Sequence, residues 1–481
     1  MNYKMIFYTV GKVVLIEAVL LLLPFVTALV YAEWWIATSF AITVAIALAV
    51  YLLSRLCFTP KNTMIFSKEG LIIVSLAWVT MSLIGCLPFV ISGEIPSFVD
   101  ALFETVSGFS TTGASVLSNV EVLSHGTLFW RSFTHWIGGM GVLVFVMAVT
   151  SKNNDRSIHI LRAEMPGPTV DKLVPRARDT AKILYLIYIA LTLVLTVLLL
   201  CGDMNLFESL LHAFGTAGTG GFGIKNSSIG EYSAYSQWVI TVFMLIFGIN
   251  FNLFYLILLA KIKDVFKSEE LWVYFTIVFL SIAIITCNII ETCSGFGEAL
   301  RLSSFQVASI ISTTGYSTAN FAVWPTLSTS ILLVLMITGA CAGSTAGGMK
   351  ISRVVLLGKE IKREFKRVLH PRNTSVIKSN GKRVDEETMR GVMSYLMVYV
   401  ACIVVIFLLI SFEPFGIETN LSATLACFNN IGPGLAQVGP ALNYGSYTIF
   451  TKIVLTLAML LGRLEIYPIL LTLLPRTWLR K

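Results

Sequence analysis

Four short runs of threonine, serine and glycine are the parts of this chain whose residue types and spacing suggest a chemistry. The first is Ser110-Thr111-Thr112-Gly113-Ala114-Ser115, the second Gly218-Thr219-Gly220-Gly221-Phe222, and the third Ser312-Thr313-Thr314-Gly315-Tyr316-Ser317. The fourth, Asn429-Asn430-Ile431-Gly432-Pro433-Gly434, is a diverged copy. With Gly113, Gly220, Gly315 and Gly432 as central glycines, the spacings are about 107, 95 and 117 residues, and a near-fixed period marks a repeated structural unit. Glycine permits unusual backbone angles and leaves a lumen free of side chain. Extended backbone there can turn neutral carbonyl oxygens inward, a donor set suited to a weakly hydrated monovalent cation. The runs hold no ring of Asp or Glu, which argues against a calcium-type site. They hold no basic ring either, which argues against anions.

The elements that must position these runs are set by the membrane. The 481 residues are 56% hydrophobic and 13% charged, with mean hydropathy +0.80. Soluble domains carry about 25% charged residues, so this is a polytopic membrane protein, all-α in class. No polar stretch is long enough for a separate soluble domain. The net charge of +8 is read by location along a membrane chain rather than as a sign of nucleic-acid binding.

About 20 apolar residues cross a bilayer as a helix, and backbone polar groups there must be satisfied internally. Residues 13–31 and 34–53 form an N-terminal hairpin, expected over 1–69, whose first helix is retained rather than cleaved as a signal. Four units follow, each with a span, a half-length segment, a glycine run and a second span. Their expected bounds are 70–160, 161–266, 267–390 and 391–481. The half-length segments are 97–109, 206–215, 305–311 and 421–428. The second spans are 128–150, 238–260, a segment from 327 onward, and 453–474. The third is interrupted by Gly339-Ala340-Cys341-Ala342-Gly343-Ser344-Thr345-Ala346-Gly347-Gly348-Met349-Lys350. So many small residues do not make a stable lipid-facing helix, since an interior glycine costs about 1 kcal/mol relative to alanine.

Loop charge gives orientation. The turns that carry the glycine runs are poor in Lys and Arg and contain Glu94, Asp100, Asp203, Glu231, Glu291, Glu413 and Glu418. The alternate loops hold most of the basic residues. The positive-inside rule places the runs at the outer side and both termini in the cytoplasm, with all four units parallel. Irregular backbone at membrane depth is tolerated only when buried in protein or lining a water-filled cavity. Four such units around one axis make a pore, and short helices aiming their C-terminal ends at it add negative potential.

Other chemistries fit less well. None of the five histidines, His125, His135, His159, His212 and His370, pairs with Cys or carboxylate as a nucleophile or metal site. The eight cysteines show no zinc spacing and no disulfide framework. Gly218-Thr219-Gly220-Gly221-Phe222-Gly223 matches a dinucleotide fingerprint by letters but lacks the strand–loop–helix context. No enzyme and no organic cofactor is expected.

The residues resemble the TrkH/KtrB potassium transporters of the Trk/Ktr/HKT superfamily, along the whole chain. The resemblance is strongest at the four glycine runs, at Gly343-Ser344-Thr345-Ala346-Gly347-Gly348-Met349-Lys350, and at Gly462-Arg463-Leu464-Glu465. The N-terminal hairpin points to the TrkH branch. The resemblance implies potassium uptake across the bacterial inner membrane, with K⁺ as the transported ion. It implies a filter of Thr111, Thr112, Gly113, Gly218, Thr219, Gly220, Thr313, Thr314, Gly315, Asn430, Ile431 and Gly432. It implies a homodimer with one pore per subunit, in contact with membrane lipids. A TrkA-like cytoplasmic ring that binds nucleotide, NAD(H) or ATP, would regulate it. The break of repeat three, with Gly339, Gly343, Ser344, Gly347, Gly348 and Lys350, resembles the intramembrane gating loop of the family. Arg463 lies mid-span, where a charge is expensive and faces an interior or aqueous cavity. It is expected to project into the pore as a barrier, with Glu465 as a candidate partner. The competing reading is a Na⁺-coupled or less selective monovalent cation transporter. In the plant-type branch, serine at the first filter glycine goes with Na⁺ permeation, and all four positions here are glycine, which favours K⁺.

Overall fold

The computed structural model describes residues 1–60, 65–141, 177–371 and 376–478. These are helical almost throughout. Among the described residues the only strand pairing is a two-residue hairpin, Lys378–Ser379 with Lys382–Arg383. Among the described residues six helices are long and apolar enough to cross a membrane: Tyr3–Val30, Trp34–Cys57, Ser67–Ser92, Asp179–Leu200, Glu269–Thr292 and Glu386–Ile410. A seventh span results if Ala234–Phe247 and Phe251–Leu258, bent by 92°, are taken together.

After the N-terminal hairpin, the order long helix, short helix, irregular run, second helix occurs four times. The short helices are Phe98–Phe109, Leu206–Ala217, Phe296–Ile311 and Ile417–Phe428. The last two begin well before the apolar segments expected at 305–311 and 421–428. Their opening turns carry Glu298 and Arg301, or Glu418 and Asn420. Hydropathy excludes such residues, but a helix shielded by protein accepts them. Each short helix has an acid in its first turn (Asp100, Glu208, Glu298 or Glu418), matching the positive end of the helix dipole. Ser97 and Asn205 cap the first two, and Asn205 forms a capping box with Glu208.

The second helices are shorter than the sequence suggests. His125–Gly139, Ala234–Phe247, Thr326–Thr338 and Ile449–Arg463 run for 15, 14, 13 and 15 residues. The sequence points to a break in repeat three alone. In fact Gly248–Asn250 interrupts repeat two and Leu464–Ile466 interrupts repeat four. Hydropathy misses these breaks because apolar helices, Phe251–Leu258 and Tyr467–Leu473, resume beyond them. The continuation of repeat one, expected to 150, and most of the basic connection after it lie outside the described residues.

In repeats one, two and four an acid in the turn after the span ties the second helix to that span. Glu94 accepts from the Ser124 amide at 2.9 Å, Asp203 from the Ser233 amide at 2.7 Å, and Glu413 from the Thr448 amide at 2.9 Å. These are N-caps supplied from a distance, satisfying donors that the helix leaves orphaned. Partial burial would raise the Asp203 carboxyl, but hydrogen bonds from Ser233 and Ser236 outweigh it and hold it at about 2.

One buried ion pair joins the first short helix to its second helix. Glu104 Oε1 lies 2.6 Å from Arg131 Nε, with side-chain exposures of 0% and 3%. The pair has further partners. Glu104 accepts from the Ser115 hydroxyl at 3.0 Å and the Val116 amide at 3.1 Å. Arg131 donates to the Gly223 carbonyl at 2.8 Å, and its guanidinium lies 3.6 Å from the Phe222 ring centroid. The pair therefore pins the chain just after the glycine runs of repeats one and two. Removing one partner leaves an uncompensated buried charge. Glu104→Ala is expected to destabilise the purified protein by about 3–5 kcal/mol. A thermal-unfolding midpoint equal to that of the unaltered chain would show that the pair does not anchor these loops.

Candidate ion pathway

Each short helix ends in the same local structure. The amides of Thr112, Gly220, Thr314 and Ile431 donate to the carbonyls of Ser107, Gly215, Ser309 and Ala426, five residues back, at 2.8 to 2.9 Å. The amides of Thr111, Thr219, Thr313 and Asn430 donate three residues back, to Gly108, Thr216, Ile310 and Cys427. This is a Schellman ending, which needs a left-handed residue after the C-cap. Thr111, Thr219, Thr313 and Asn430 supply it, with φ of 56°, 54°, 56° and 56°. Threonine rarely adopts that region, and such outliers cluster at functional sites.

The glycine that matters follows two residues later. Gly113, Gly221, Gly315 and Gly432 have φ of 77°, 77°, 85° and 97°. In repeat two the equivalent glycine is thus Gly221, one residue beyond the Gly220 expected from the sequence. Two adjacent glycines made the register ambiguous, and the left-handed Thr219 resolves it. The structurally matched segment is Thr219-Gly220-Gly221 rather than Gly218-Thr219-Gly220. All four equivalent positions remain glycine.

These glycines meet in a closed circuit. A Cβ added to Gly113 would lie 2.0 Å from the Gly220 carbonyl oxygen. One added to Gly221 would lie 1.9 Å from that of Thr314, and one on Gly315 1.9 Å from that of Ile431. One added to Gly432 would lie 2.6 Å from the carbonyl oxygen of Thr112, which returns to repeat one. The four loops are therefore neighbours in sequence order around one point, packed backbone to backbone. A cavity of about 160 Å³ opens beside this circuit, lined by Gly113, Gly221, Gly315 and Gly432, with Lys225 and Arg131 further round its wall.

Side chains hold the loops from behind. Thr112 Oγ1 lies 2.7 Å from Ser110 Oγ, and Thr314 Oγ1 lies 2.7 Å from Ser312 Oγ. Asn430 Nδ2 donates to Thr112 Oγ1 and to the Met459 carbonyl, both at 2.9 Å, joining repeat four to repeat one. Thr111, Thr112, Thr219, Thr313, Thr314, Asn430 and Ile431 are fully buried.

The breaks in the second helices pack against these loops. Gly339, Gly343 and Gly348 take φ of 64°, 69° and 76°, and Lys350 takes 76°. The loop from Gly339 to Lys350 is extensively bonded. Cys341 donates to the Gly248 carbonyl at 3.1 Å, and Phe251 donates to the Gly343 carbonyl at 3.0 Å. Glu270 accepts from the amides of Ala342 at 2.7 Å and Ser352 at 3.0 Å. The Gly347 amide donates to Thr313 Oγ1 at 2.7 Å, a direct bond from the break to a glycine-run loop. The Ser344 hydroxyl turns back onto the Cys341 carbonyl at 2.7 Å. Lys350 is buried, and its ammonium donates to the Ala346 carbonyl.

Arg463, the last residue of its helix, bridges three segments. Its guanidinium donates to Thr345 of the break at 2.8 Å, and to Gly138 and Gly139 of repeat one at 2.5 and 2.8 Å. Glu465 is not its partner here. Glu465 pairs with Arg353, at 2.5 and 3.2 Å. The chain turns at Glu465 and Ile466, with φ of 54° and 68°, and this carries the carboxylate away from the axis of the helix that ends at Arg463. Sequence reading did not single out the Glu104–Arg131 pair, Glu270 or Arg353. Buried acids on short helices were the available signal for the first.

The chain is similar to known proteins along its full length. The family model described as TrkH, cation transport protein, matches residues 36–284 and 266–478. The Trk system potassium uptake protein TrkH of Salmonella typhimurium is 33% identical over 485 residues, covering 99% of this chain and 100% of that protein. The Trk system potassium uptake protein TrkG of Escherichia coli is 31% identical, covering 98% and 97%. The crystal structure of the potassium transporter TrkH from Vibrio parahaemolyticus superposes with a TM-score of 0.89 at 31% identity, over 100% of both chains. Four helix-and-loop units closed around one point, and a family match over both halves of the chain, lead to one assignment: the chain belongs to the TrkH family of cation transport proteins.

Proposed function

We propose that this chain takes up potassium across a bacterial inner membrane through a single pore. The carrying observation is the closed circuit in which each glycine packs on the next loop's carbonyl. The carbonyls of Thr112, Gly220, Thr314 and Ile431 form one level of an all-backbone ligand set, with Gly113, Gly221, Gly315 and Gly432 at its outer rim. Neutral dipoles replace the hydration shell of a weakly hydrated monovalent ion at low cost. The C-terminal ends of the four short helices point towards this level and add about half a negative charge each. The pore repeats are taken as 70–160, 161–266, 267–390 and 391–481, with 1–69 as a flanking hairpin.

Flux is controlled below the filter. The loop from Gly339 to Lys350 acts as the gate, hinged at its left-handed glycines and bonded to the filter through Thr313. Arg463 contributes a positive barrier beside it. The basic stretch at 359–367 faces the cytoplasm with both termini. There it meets a nucleotide-binding regulatory ring, and two copies of the chain assemble side by side.

Two substitutions test this reading in proteoliposomes. Gly221→Ser adds a Cβ 1.9 Å from the Thr314 carbonyl oxygen. It is expected to lower the K⁺ over Na⁺ permeability ratio roughly tenfold, since ligand geometry sets the selectivity. An unchanged ratio removes that glycine from the filter. A wild-type protein that passes Na⁺ as readily as K⁺ would favour the less selective transporter. Arg463→Ala removes a unit charge. At about 10 Å from the ion and an effective dielectric constant of about 20, that charge is worth about 1.7 kcal/mol, so ⁸⁶Rb⁺ uptake should rise roughly tenfold. Uptake at the wild-type rate would place the charge outside the conducting path.

A further inference from the structure

The second loop lacks the device that stiffens the first and third. Loops one and three hold a Ser–Thr hydroxyl pair behind the backbone, Ser110 with Thr112 and Ser312 with Thr314. Loop two has Gly218 and Gly220 at those two places. Neither Gly218 nor Gly220 has a positive φ, so backbone geometry does not demand glycine at either. Three glycines in four residues also give this loop more conformational freedom to lose than its neighbours have.

The missing volume is filled by His135. A Cβ added to Gly220 would lie 1.5 Å from His135 Nδ1 and 2.2 Å from its Cε1. One added to Gly218 would lie 2.2 Å from the His135 carbonyl oxygen. The imidazole stands edge-on to Phe222, with centroids 4.2 Å apart and planes at 69°. It is fully buried, and neither ring nitrogen has a hydrogen-bond partner among the described residues. Leaving two polar atoms unsatisfied is costly, so a packing gain must offset it. Counted from the N-caps Ser124, Ser233, Pro325 and Thr448, the residues equivalent to His135 are Met244, Met336 and Met459, all fully buried. Three repeats thus use a flexible thioether where repeat one places a flat, rigid ring.

We propose that His135 is a positioning residue for selectivity: its ring replaces the Ser–Thr pair in loop two and sets the Gly220 carbonyl at the level of the other three. The proposal rests on the reading of these loops as a cation filter. Gly220 is glycine because the ring occupies its side-chain space and Gly218 because the His135 backbone carbonyl occupies its own, whereas Gly221 is glycine because of its backbone.

The test is the bi-ionic K⁺/Na⁺ reversal potential of purified protein in planar bilayers. His135→Ala should lower the permeability ratio roughly tenfold while conduction persists, because a loop loosened by a fraction of an ångström still passes ions. Gly220→Thr alone should lower it as well, since the ring leaves no room for the new side chain. Gly220→Thr/His135→Ala puts into the space the ring vacates the threonine that loops one and three carry at that place, and should bring the ratio back towards wild type. A merely structural histidine would not be rescued by that threonine. A wild-type ratio in His135→Ala, or in Gly220→Thr with His135 present, overturns the proposal. If His135→Ala does not fold, Gly220→Thr/His135→Ala decides: a folded, selective protein supports the proposal and failure to recover either property overturns it. An unselective wild-type protein would instead refute the filter reading beneath it.

Discussion

The structure depends on one constraint: four backbone loops must approach closely enough that no side chain fits between them. At Gly113, Gly221, Gly315 and Gly432 even a methyl group would meet the neighbouring loop's carbonyl oxygen. Every loop must then leave its short helix at one angle, which the Schellman ending provides. That ending forces Thr111, Thr219, Thr313 and Asn430 into the left-handed region, at about 1–2 kcal/mol each. The strain persists because packing over-determines it. Two amide bonds fix each turn, and burial excludes water from the loop backs. The Glu104–Arg131 pair then secures the chain beyond loops one and two.

The lower half obeys the same logic with a different balance. The second helices stop short because their ends must make room beneath the loops. Gly138 and Gly462 illustrate this, since a Cβ on either would lie 1.9 Å from the carbonyl oxygen that ends its own short helix, that of Phe109 or Phe428. The space so created holds the loop from Gly339 to Lys350, which bonds upward to Thr313 and sideways to repeat two. Arg463 closes the layer by donating to carbonyls from repeats one and three. Carbonyl oxygens receive its guanidinium there, and Glu465 engages Arg353. The glycine-run loops and the break of repeat three are therefore mechanically continuous, joined by hydrogen bonds rather than by a rigid helix.

Much of this was legible from residue order. The glycine runs, the half-length segments and the charge asymmetry identified the class of fold, because membrane burial makes small polar residues conspicuous. The break in repeat three was visible because it is built from glycine and alanine. The breaks at Gly248 and Leu464 were not, because apolar residues continue through them and hydropathy does not register backbone direction. The register of loop two was misjudged by one residue for a similar reason. Gly220 and Gly221 are chemically identical, and only the left-handed Thr219 shows which one faces its neighbours. The role of His135 was hidden because its partners are glycines more than eighty residues away in sequence, which no local pattern records.

In the proposed function the four loops present one ring of backbone carbonyls to a dehydrated monovalent cation. Anomalous X-ray scattering from crystals of the protein grown in Rb⁺ or Tl⁺ tests it most directly. Anomalous peaks are expected on the axis between the carbonyl oxygens of Thr112, Gly220, Thr314 and Ile431, lost when Na⁺ replaces Rb⁺. Rb⁺ bound elsewhere, with the axis between those four carbonyls empty, would contradict it.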